Sequence, residues 1–97
     1  MFAIAYDLTV ADAHQHHPRG YRQAYLDIEA TLMKFGFERV QRSVFASKDE
    51  DLASLFSAIV ALRALSWFGQ GVKDIRAFRV ERGADFTAIV KGGGAHD

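Results

Sequence analysis

The first segment of the chain constrains the fold most. Residues 2–6, FAIAY, are apolar without a break, and the acidic residue Asp7 follows them. A strand with one face in solvent alternates apolar and polar side chains, so this segment predicts a strand that is covered on both faces. The two faces would carry Phe2, Ile4 and Tyr6 on one side and Ala3, Ala5 and Asp7 on the other. The sequence therefore predicts a central strand with a carboxylate near its end.

The rest of the chain predicts two main helices and three further strands, from apolar periodicity, β-branched content and turn residues. The first predicted element is a strand over 2–9, followed by a loop over 10–19 with Pro18 near the first turn of the next helix. That helix runs from Tyr21 to Phe35, Gly36 ends it, and its apolar residues recur at spacings of three or four to form one stripe. Residues 37–47 then predict two short strands or one bent strand with a turn near Gln41–Arg42. A second helix ends near 66–69, and a strand over 74–81 follows it. The second helix carries its apolar residues on one stripe, which we expect to be buried: Leu52, Leu55, Phe56, Ile59 and Leu62. The stretch SKDE predicts a capping box, with Ser47 as the N-cap and Glu50 three residues later. Residues 85–91 fit a short helix or a strand.

The order β-α-β-β-α-β predicts an α+β fold of the ferredoxin-like type, with two helices on one face of an antiparallel sheet. The first strand is central in that arrangement, and the helices cover only one of its faces. We expect a second copy of the sheet to cover the other face in a two-fold homodimer. The alternative is that residues 85–91 fold back over it.

Composition narrows the class of protein. The chain has 97 residues, a formal net charge of zero and no cysteine. We expect one domain over residues 1–91 and a flexible glycine-rich tail over 92–97. A disulfide framework, a zinc–thiolate site and a thiol nucleophile are excluded. No apolar run approaches 18 residues and the first residues lack a basic region, so we expect a cytoplasmic protein without a signal peptide or membrane span.

Asp7 gains a chemical role if a two-fold axis passes near the end of the first strand. Two Asp7 carboxylates would then approach each other and either share a proton or hold a divalent cation such as Mg²⁺. Either state would assist hydrolysis of a phosphodiester. The ordinary alternative is a capping residue, a turn residue or a partner for an arginine.

Two other groups of residues carry candidate chemistry. Strand arginines could form a phosphate-binding patch beside Asp7, together with Gln41 and Ser43, or could simply pair with Glu38, Asp74 and Glu81 on a wet face. These arginines are Arg39, Arg42, Arg76 and Arg79. The histidines His14, His16 and His17 could bind a transition metal or act as a general acid or base, although short histidine runs in loops are usually incidental.

Several stretches of this chain together resemble the virulence-associated protein D (VapD) family over about residues 1–91, in the same order and spacing. They are FAIAYDL, HPRGYRQAY, KFGFERVQRSVF, EDLASLF and the segment from WFGQGVKDIRAFRVE to DFTAIVK. The aspartate that ends the first strand and the later RVQ.SVF pattern also resemble the small CRISPR-associated nuclease subunit of the spacer-adaptation complex. That family shares the ferredoxin-like fold and forms dimers.

The resemblance implies a toxin-like endoribonuclease that acts as a homodimer and is paired with an antitoxin in some bacteria. It implies that Asp7 is the leading catalytic residue, with Ser43 beside it. It also implies substrate contacts by Asp74, Arg76 and Arg79 in the last strand and by His17 in the HPRG element. Arg39 and Arg42 are further candidates for substrate contacts, from the arginine patch rather than from the resemblance. Arg42 stands where many relatives are expected to have glycine, and a tryptophan expected near Gly83 is missing.

The sequence is therefore consistent with two functions. The first is a dimeric endoribonuclease in which Asp7 is an acid–base group or a metal ligand. The second is a dimeric ferredoxin-like module that binds a partner without cleaving it, which a net charge of zero also suits.

Overall fold

The computed structural model describes residues 1–9, 16–81 and 84–92. The described residues form a four-stranded antiparallel sheet with two longer and two short helices, and the fold class is α+β as predicted. The elements are β1 (Phe2–Leu8), α1 (Tyr21–Met33), β2 (Glu38–Gln41), β3 (Val44–Ser47), α2 (Leu52–Arg63), α3 (Phe68–Gly71), β4 (Val72–Arg79) and α4 (Thr87–Val90). His14 and residues 93–97 of the expected tail lie outside the described residues.

β1 is central in the sheet, as the unbroken apolar run predicts. The strand order is β2-β3-β1-β4, and β1 pairs antiparallel with β3 on one side and with β4 on the other. This strand order and the element order are consistent with the predicted ferredoxin-like arrangement. The turn between β2 and β3 lies at Arg42–Ser43, one residue later than the prediction.

One face of β1 forms the core with the two long helices. Phe2, Ile4 and Tyr6 are buried together with residues of α1 and α2. The other members of this core are Leu8, Ala24, Ile28, Leu32, Phe37, Phe45, Ala58, Leu62, Trp67 and Phe68. The apolar stripe of α1 is confirmed, and Gly36 follows the helix with a φ of 85°, a conformation that glycine adopts without a Cβ clash.

The predicted capping box at the start of α2 is wrong. Ser47 is the last residue of β3, where it pairs with Phe2 and is buried. Asp51 is the N-cap instead, and its carboxylate accepts hydrogen bonds from the Ala53 amide at 2.9 Å and the Ser54 hydroxyl at 3.0 Å. These hydrogen bonds, with the Ser54 side chain first, hold the pKa of Asp51 below its usual value.

The second helix is shorter and more exposed than the sequence predicts. It ends at Arg63, and a turn separates it from the short helix α3. Leu52 and Phe56 were expected on its buried stripe, but they are 63% and 70% exposed. No charged residue lies between Leu52 and Leu62, so the apolar pattern of α2 does not define one inner face.

The second face of the sheet, here called the open face, is not covered by either long helix. It carries Ala3, Ala5 and Asp7 on β1, and these residues are half-buried or exposed. The β-strand pairing adds Glu38, Gln41, Val44, Ala46, Asp74, Arg76 and Phe78 to it. Phe78 lies near the end of the edge strand β4 and is 49% exposed, so this face presents an aromatic side chain to solvent.

Residues 85–91, which fit either a helix or a strand from the sequence, contain the short helix α4. Residues of this segment line a cleft of about 520 Å³ with the outer strand β2, and Ala84 and Asp85 contribute to it. Its apolar side chains do not pack against the sheet, since Phe86, Ile89 and Val90 are 62%, 58% and 82% exposed. The alternative of a C-terminal cover over the open face therefore lacks the burial that it requires. No helix in the described part of the chain is long and apolar enough to cross a bilayer.

Candidate active site at the end of the first strand

Two carboxylates meet on the open face where β1 ends. Asp7 on β1 lies directly opposite Asp74 on β4 in the antiparallel ladder, so both side chains leave the same face. Side chains in such positions have Cβ atoms about 5 Å apart. The register of the ladder shifts between Asp7 and Leu8, so the acid pair occupies the last regular step before an irregularity. Both side chains are exposed.

Arg76 lies on the same face as the two carboxylates and contacts one of them. Its Nε donates a hydrogen bond to Oδ2 of Asp74 at 2.9 Å, and the residue faces Ala5 across the ladder. Two negative groups and one positive group leave an excess of negative charge beside Asp7. A cation would offset that excess, and a guanidinium is a natural partner for a phosphate oxygen.

Ser43 and Arg42 form the turn at the same end of the sheet. The carbonyl of Ser43 accepts a hydrogen bond from the amide of Tyr6, the residue before Asp7, at 3.0 Å. The Tyr6 hydroxyl donates to the carbonyl of Arg42 at 3.3 Å. Burial raises the pKa of the Tyr6 hydroxyl well above its usual value, so this donor keeps its proton. The turn is thus fixed to the strand that carries Asp7.

The other two strand arginines do not lie beside Asp7. Arg79 pairs with Phe2 five residues from the acid pair, about 16 Å along the strand, and its Nη1 donates to Glu50 at 3.2 Å. Arg39 lies on the helix-covered side, with its Nε 3.7 Å from a carboxylate oxygen of Glu29 on α1. The patch expected from four arginines is therefore divided, and Arg76 is the member that shares a face with Asp7.

His17 is buried, and each of its two ring nitrogens forms a hydrogen bond within the protein. Nδ1 accepts a hydrogen bond from the Arg19 amide at 2.9 Å, so Nε2 carries the proton and donates to Asp27 at 2.6 Å. The ring also packs edge-on against Trp67, with centroids 4.8 Å apart. These contacts fasten the entry of α1 to the turn after α2. His17 therefore lacks the free nitrogen that a general acid or base needs, and His16 is exposed beside it.

The Asp27 carboxylate gives this contact a pH dependence. Burial alone would raise its pKa, but hydrogen bonds from Gln23 and His17 outweigh burial and hold the pKa below the ordinary value of 3.8. The ionised group therefore stabilises the fold above about pH 4, and the stabilisation is lost as the pH falls through the folded-state pKa. We expect the free energy of unfolding to fall more steeply below about pH 4 in the wild type than in Asp27→Asn.

Urea unfolding at a series of pH values measures this difference. The matched control is Asp49→Asn, since Asp49 is exposed in the loop after β3 and its side chain takes no part in the His17 contact. The control should keep the wild-type pH dependence. Equal slopes for wild type and Asp27→Asn would contradict the role given to this carboxylate.

Metal binding by this protomer would depend on few ligands. Among residues 1–9, 16–81 and 84–92, no group of three or more histidine or acidic side chains is placed to hold a metal ion. Asp7 and Asp74 alone would supply two carboxylates. The sequence predicts an approach of two Asp7 side chains from two copies, but it does not indicate that Asp74 of the same chain lies opposite Asp7. Antiparallel pairing alone leaves the register between β1 and β4 open.

The fold and the site define a small α+β protein with a carboxylate pair and an arginine at the exposed end of a central strand. No protein-family model matches the chain. Full-length relatives do match it. A protein of Neisseria gonorrhoeae named endoribonuclease VapD homolog is 57% identical over 91 residues, which are 94% of this chain and 99% of that protein.

Two further relatives are named endoribonuclease VapD. The protein of Haemophilus influenzae is 50% identical over 91 residues, and that of Helicobacter pylori is 42% identical over 93 residues. Each alignment covers 94% of this chain and 99% of the relative. The chain therefore belongs to the VapD family, as the resemblance of its motifs indicates.

Proposed function

We propose that this chain is an endoribonuclease that cleaves RNA phosphodiester bonds as a homodimer, with the Asp7–Asp74 pair at the centre of its active site. The pairing of these two carboxylates across β1 and β4 carries the proposal. The names of the relatives support it, since each describes an endoribonuclease. A toxin role, a protein antitoxin and a cytoplasmic location form part of the same proposal.

The acid pair suits proton transfer at a phosphodiester. In one case a carboxylate of the pair accepts a proton from the attacking oxygen as a general base. In the other case the two carboxylates hold a divalent cation, which would stabilise negative charge on the phosphate. Asp7 is the catalytic candidate in both cases.

The neighbours of the pair supply the contacts to RNA. Arg76 bonds to Asp74 and exposes its remaining N–H groups on the open face, where they would hold a phosphate oxygen. Ser43 and Arg42, at the turn, would orient the strand of RNA as it leaves the acid pair. Arg39, Arg79 and His17 lie farther from it or are occupied by other contacts, so they contribute to the fold more than to the site.

A second copy of the chain is the proposed cover of the open face. That face carries an exposed aromatic side chain, Phe78, and the small residues Ala3 and Ala5, which allow close approach of another sheet. A two-fold contact there would place two acid pairs in one assembly. The exposed apolar side chains of the C-terminal segment, Phe86 and Ile89, add surface that a partner would bury.

The test is RNA cleavage that co-elutes with the protein. We expect purified wild-type chain to cut a labelled single-stranded RNA, and the activity to follow the protein peak through size-exclusion chromatography at the mass of a dimer. Parallel reactions with EDTA decide between the two chemistries, because only the cation form loses activity. Activity that separates from the protein peak, or a pure protein that binds a partner but cuts no RNA, would support the non-catalytic binding module instead.

A further inference from the structure

Arg42 stacks on an aromatic ring at the turn beside the acid pair. Its guanidinium carbon lies 4.4 Å from the centroid of the Tyr25 ring, over the face of that ring on α1. Arg39 lies near Glu29 and Arg76 bonds to Asp74. Arg79 also lies over a ring, 5.0 Å from the centroid of Phe2, but it bonds to Glu50 at the other end of the sheet. A planar guanidinium that stacks on an aromatic ring leaves its opposite face available to a second planar group.

Tyr6 and Tyr25 restrain the backbone and the side chain of Arg42, respectively. The Tyr6 hydroxyl donates to its carbonyl at 3.3 Å, and the Tyr6 ring packs against Tyr25 with centroids 5.9 Å apart. The Tyr6 ring also stacks on the buried Phe45 at 6.3 Å. A buried aromatic group therefore supports Tyr25 from below, while Arg42 lies above Tyr25 and is exposed. Little conformational freedom remains to be lost when a ligand stacks on Arg42.

We propose that Arg42, supported by Tyr25, is a stacking subsite for one unpaired base of the RNA that is bound at Asp7. Single-stranded RNA presents bases that stack on aromatic rings and on arginine planes, whereas the bases of a duplex are already stacked. The subsite and Asp7 lie at the same end of the sheet, because Tyr6, the residue before Asp7, bonds to the carbonyls of both turn residues, Arg42 and Ser43. Tyr25 is on the helix-covered side and Asp7 is on the open face, so the bound RNA would pass around this end of the sheet. This inference rests on the proposed RNA-cleaving function and adds a base contact to it.

The stacking subsite would contact a base of the RNA, whereas an ordinary phosphate contact involves only the backbone. A phosphate contact depends on charge, is insensitive to the loss of a base, and survives replacement of arginine by lysine. A stacking contact depends on the base and on the planar guanidinium. An abasic nucleotide in the RNA and the substitution Arg42→Lys should therefore remove the same interaction. The losses of binding free energy that they cause should not add.

The experiment measures RNA binding with Asp7→Asn as the background, so that the RNA stays intact. A short single-stranded RNA and a set of its derivatives, each with one abasic nucleotide, are titrated at fixed salt. We expect one abasic position to weaken binding about tenfold in Asp7→Asn. That penalty should disappear in Asp7→Asn with Arg42→Lys, and also with Tyr25→Leu, whereas Tyr25→Phe should keep it.

Arg39→Lys is the matched control. Arg39 is an exposed arginine on the neighbouring strand β2, and its guanidinium lies near Glu29 rather than over a ring. This variant should keep the full abasic penalty. A penalty that is unchanged by Arg42→Lys, or that is absent at every position while intact RNA still binds, would overturn the subsite and leave the proposed nuclease untouched. A failure of Asp7→Asn to bind any RNA, together with absent cleavage by the wild type, would overturn both.

Discussion

Replacing Asp7 by asparagine is expected to reduce RNA cleavage by about a thousandfold while the fold stays intact. The amide has nearly the shape of the carboxylate, but it neither accepts the proton of an attacking oxygen nor contributes charge to a cation site. Asp7 is exposed on the open face, so no core contact is lost. The measurement is the initial rate of cleavage of a labelled RNA, with the melting temperature of each variant recorded alongside.

Two variants make this result specific. Asp49→Asn removes an exposed carboxylate in the loop after β3, at the end of the sheet away from Asp7, and should cut at the wild-type rate. Asp74→Asn removes the other member of the pair and should also lower the rate, because the proposed site then keeps one of its two carboxylates. Equal rates for wild type and Asp7→Asn would remove Asp7 from the mechanism.

The sheet is the part of this fold that the sequence predicts best. An unbroken apolar run at residues 2–6 is strong evidence for a central strand, and the order of the other elements leaves few arrangements that bury it. The helix stripe that includes Ile28 and Leu32 is equally clear, because charged residues define its outer side. In both cases local pattern and tertiary environment agree.

The features that the sequence missed all depend on contacts between distant residues. Ser47 has the local signature of an N-cap, but its pairing with Phe2 makes it a strand residue. Leu52 and Phe56 share an apolar helix with Leu62, and only the position of the sheet decides which of them is exposed. His17 is engaged by Asp27 through a contact over ten residues. Spacing along the chain contains none of this information.

The candidate site, too, was predictable from the sequence only in part. The sequence points to Asp7 because it matches the strand-end acid of the family that the chain resembles, whereas the strand pattern alone fits a capping or turn residue equally well. The partner of Asp7 follows from the register between β1 and β4, which a shift of one residue would have changed. The contact of Arg42 with Tyr25 depends on how α1 crosses the sheet, and no motif in either segment indicates it.

Placing a charge at Phe78 is expected to separate the proposed dimer. Phe78 lies on the open face opposite Ala3 and is 49% exposed, so Phe78→Glu should leave the core of the protomer unchanged. In a sheet-to-sheet contact, however, two glutamates would be buried near each other without partners, which is strongly unfavourable. We expect the variant to elute and scatter light as a monomer at concentrations where the wild type is a dimer.

Phe56→Glu is the control that identifies the surface. Phe56 is 70% exposed on α2, on the side of the sheet that the helices cover, so the same change of residue there tests the other apolar surface. If the open face is the interface, Phe56→Glu remains a dimer and Phe78→Glu does not. A monomeric Phe56→Glu with a dimeric Phe78→Glu would move the interface to α2. Cleavage that persists in a monomeric Phe78→Glu would show that the Asp7–Asp74 pair of one protomer is sufficient, because each copy then contains a complete acid pair.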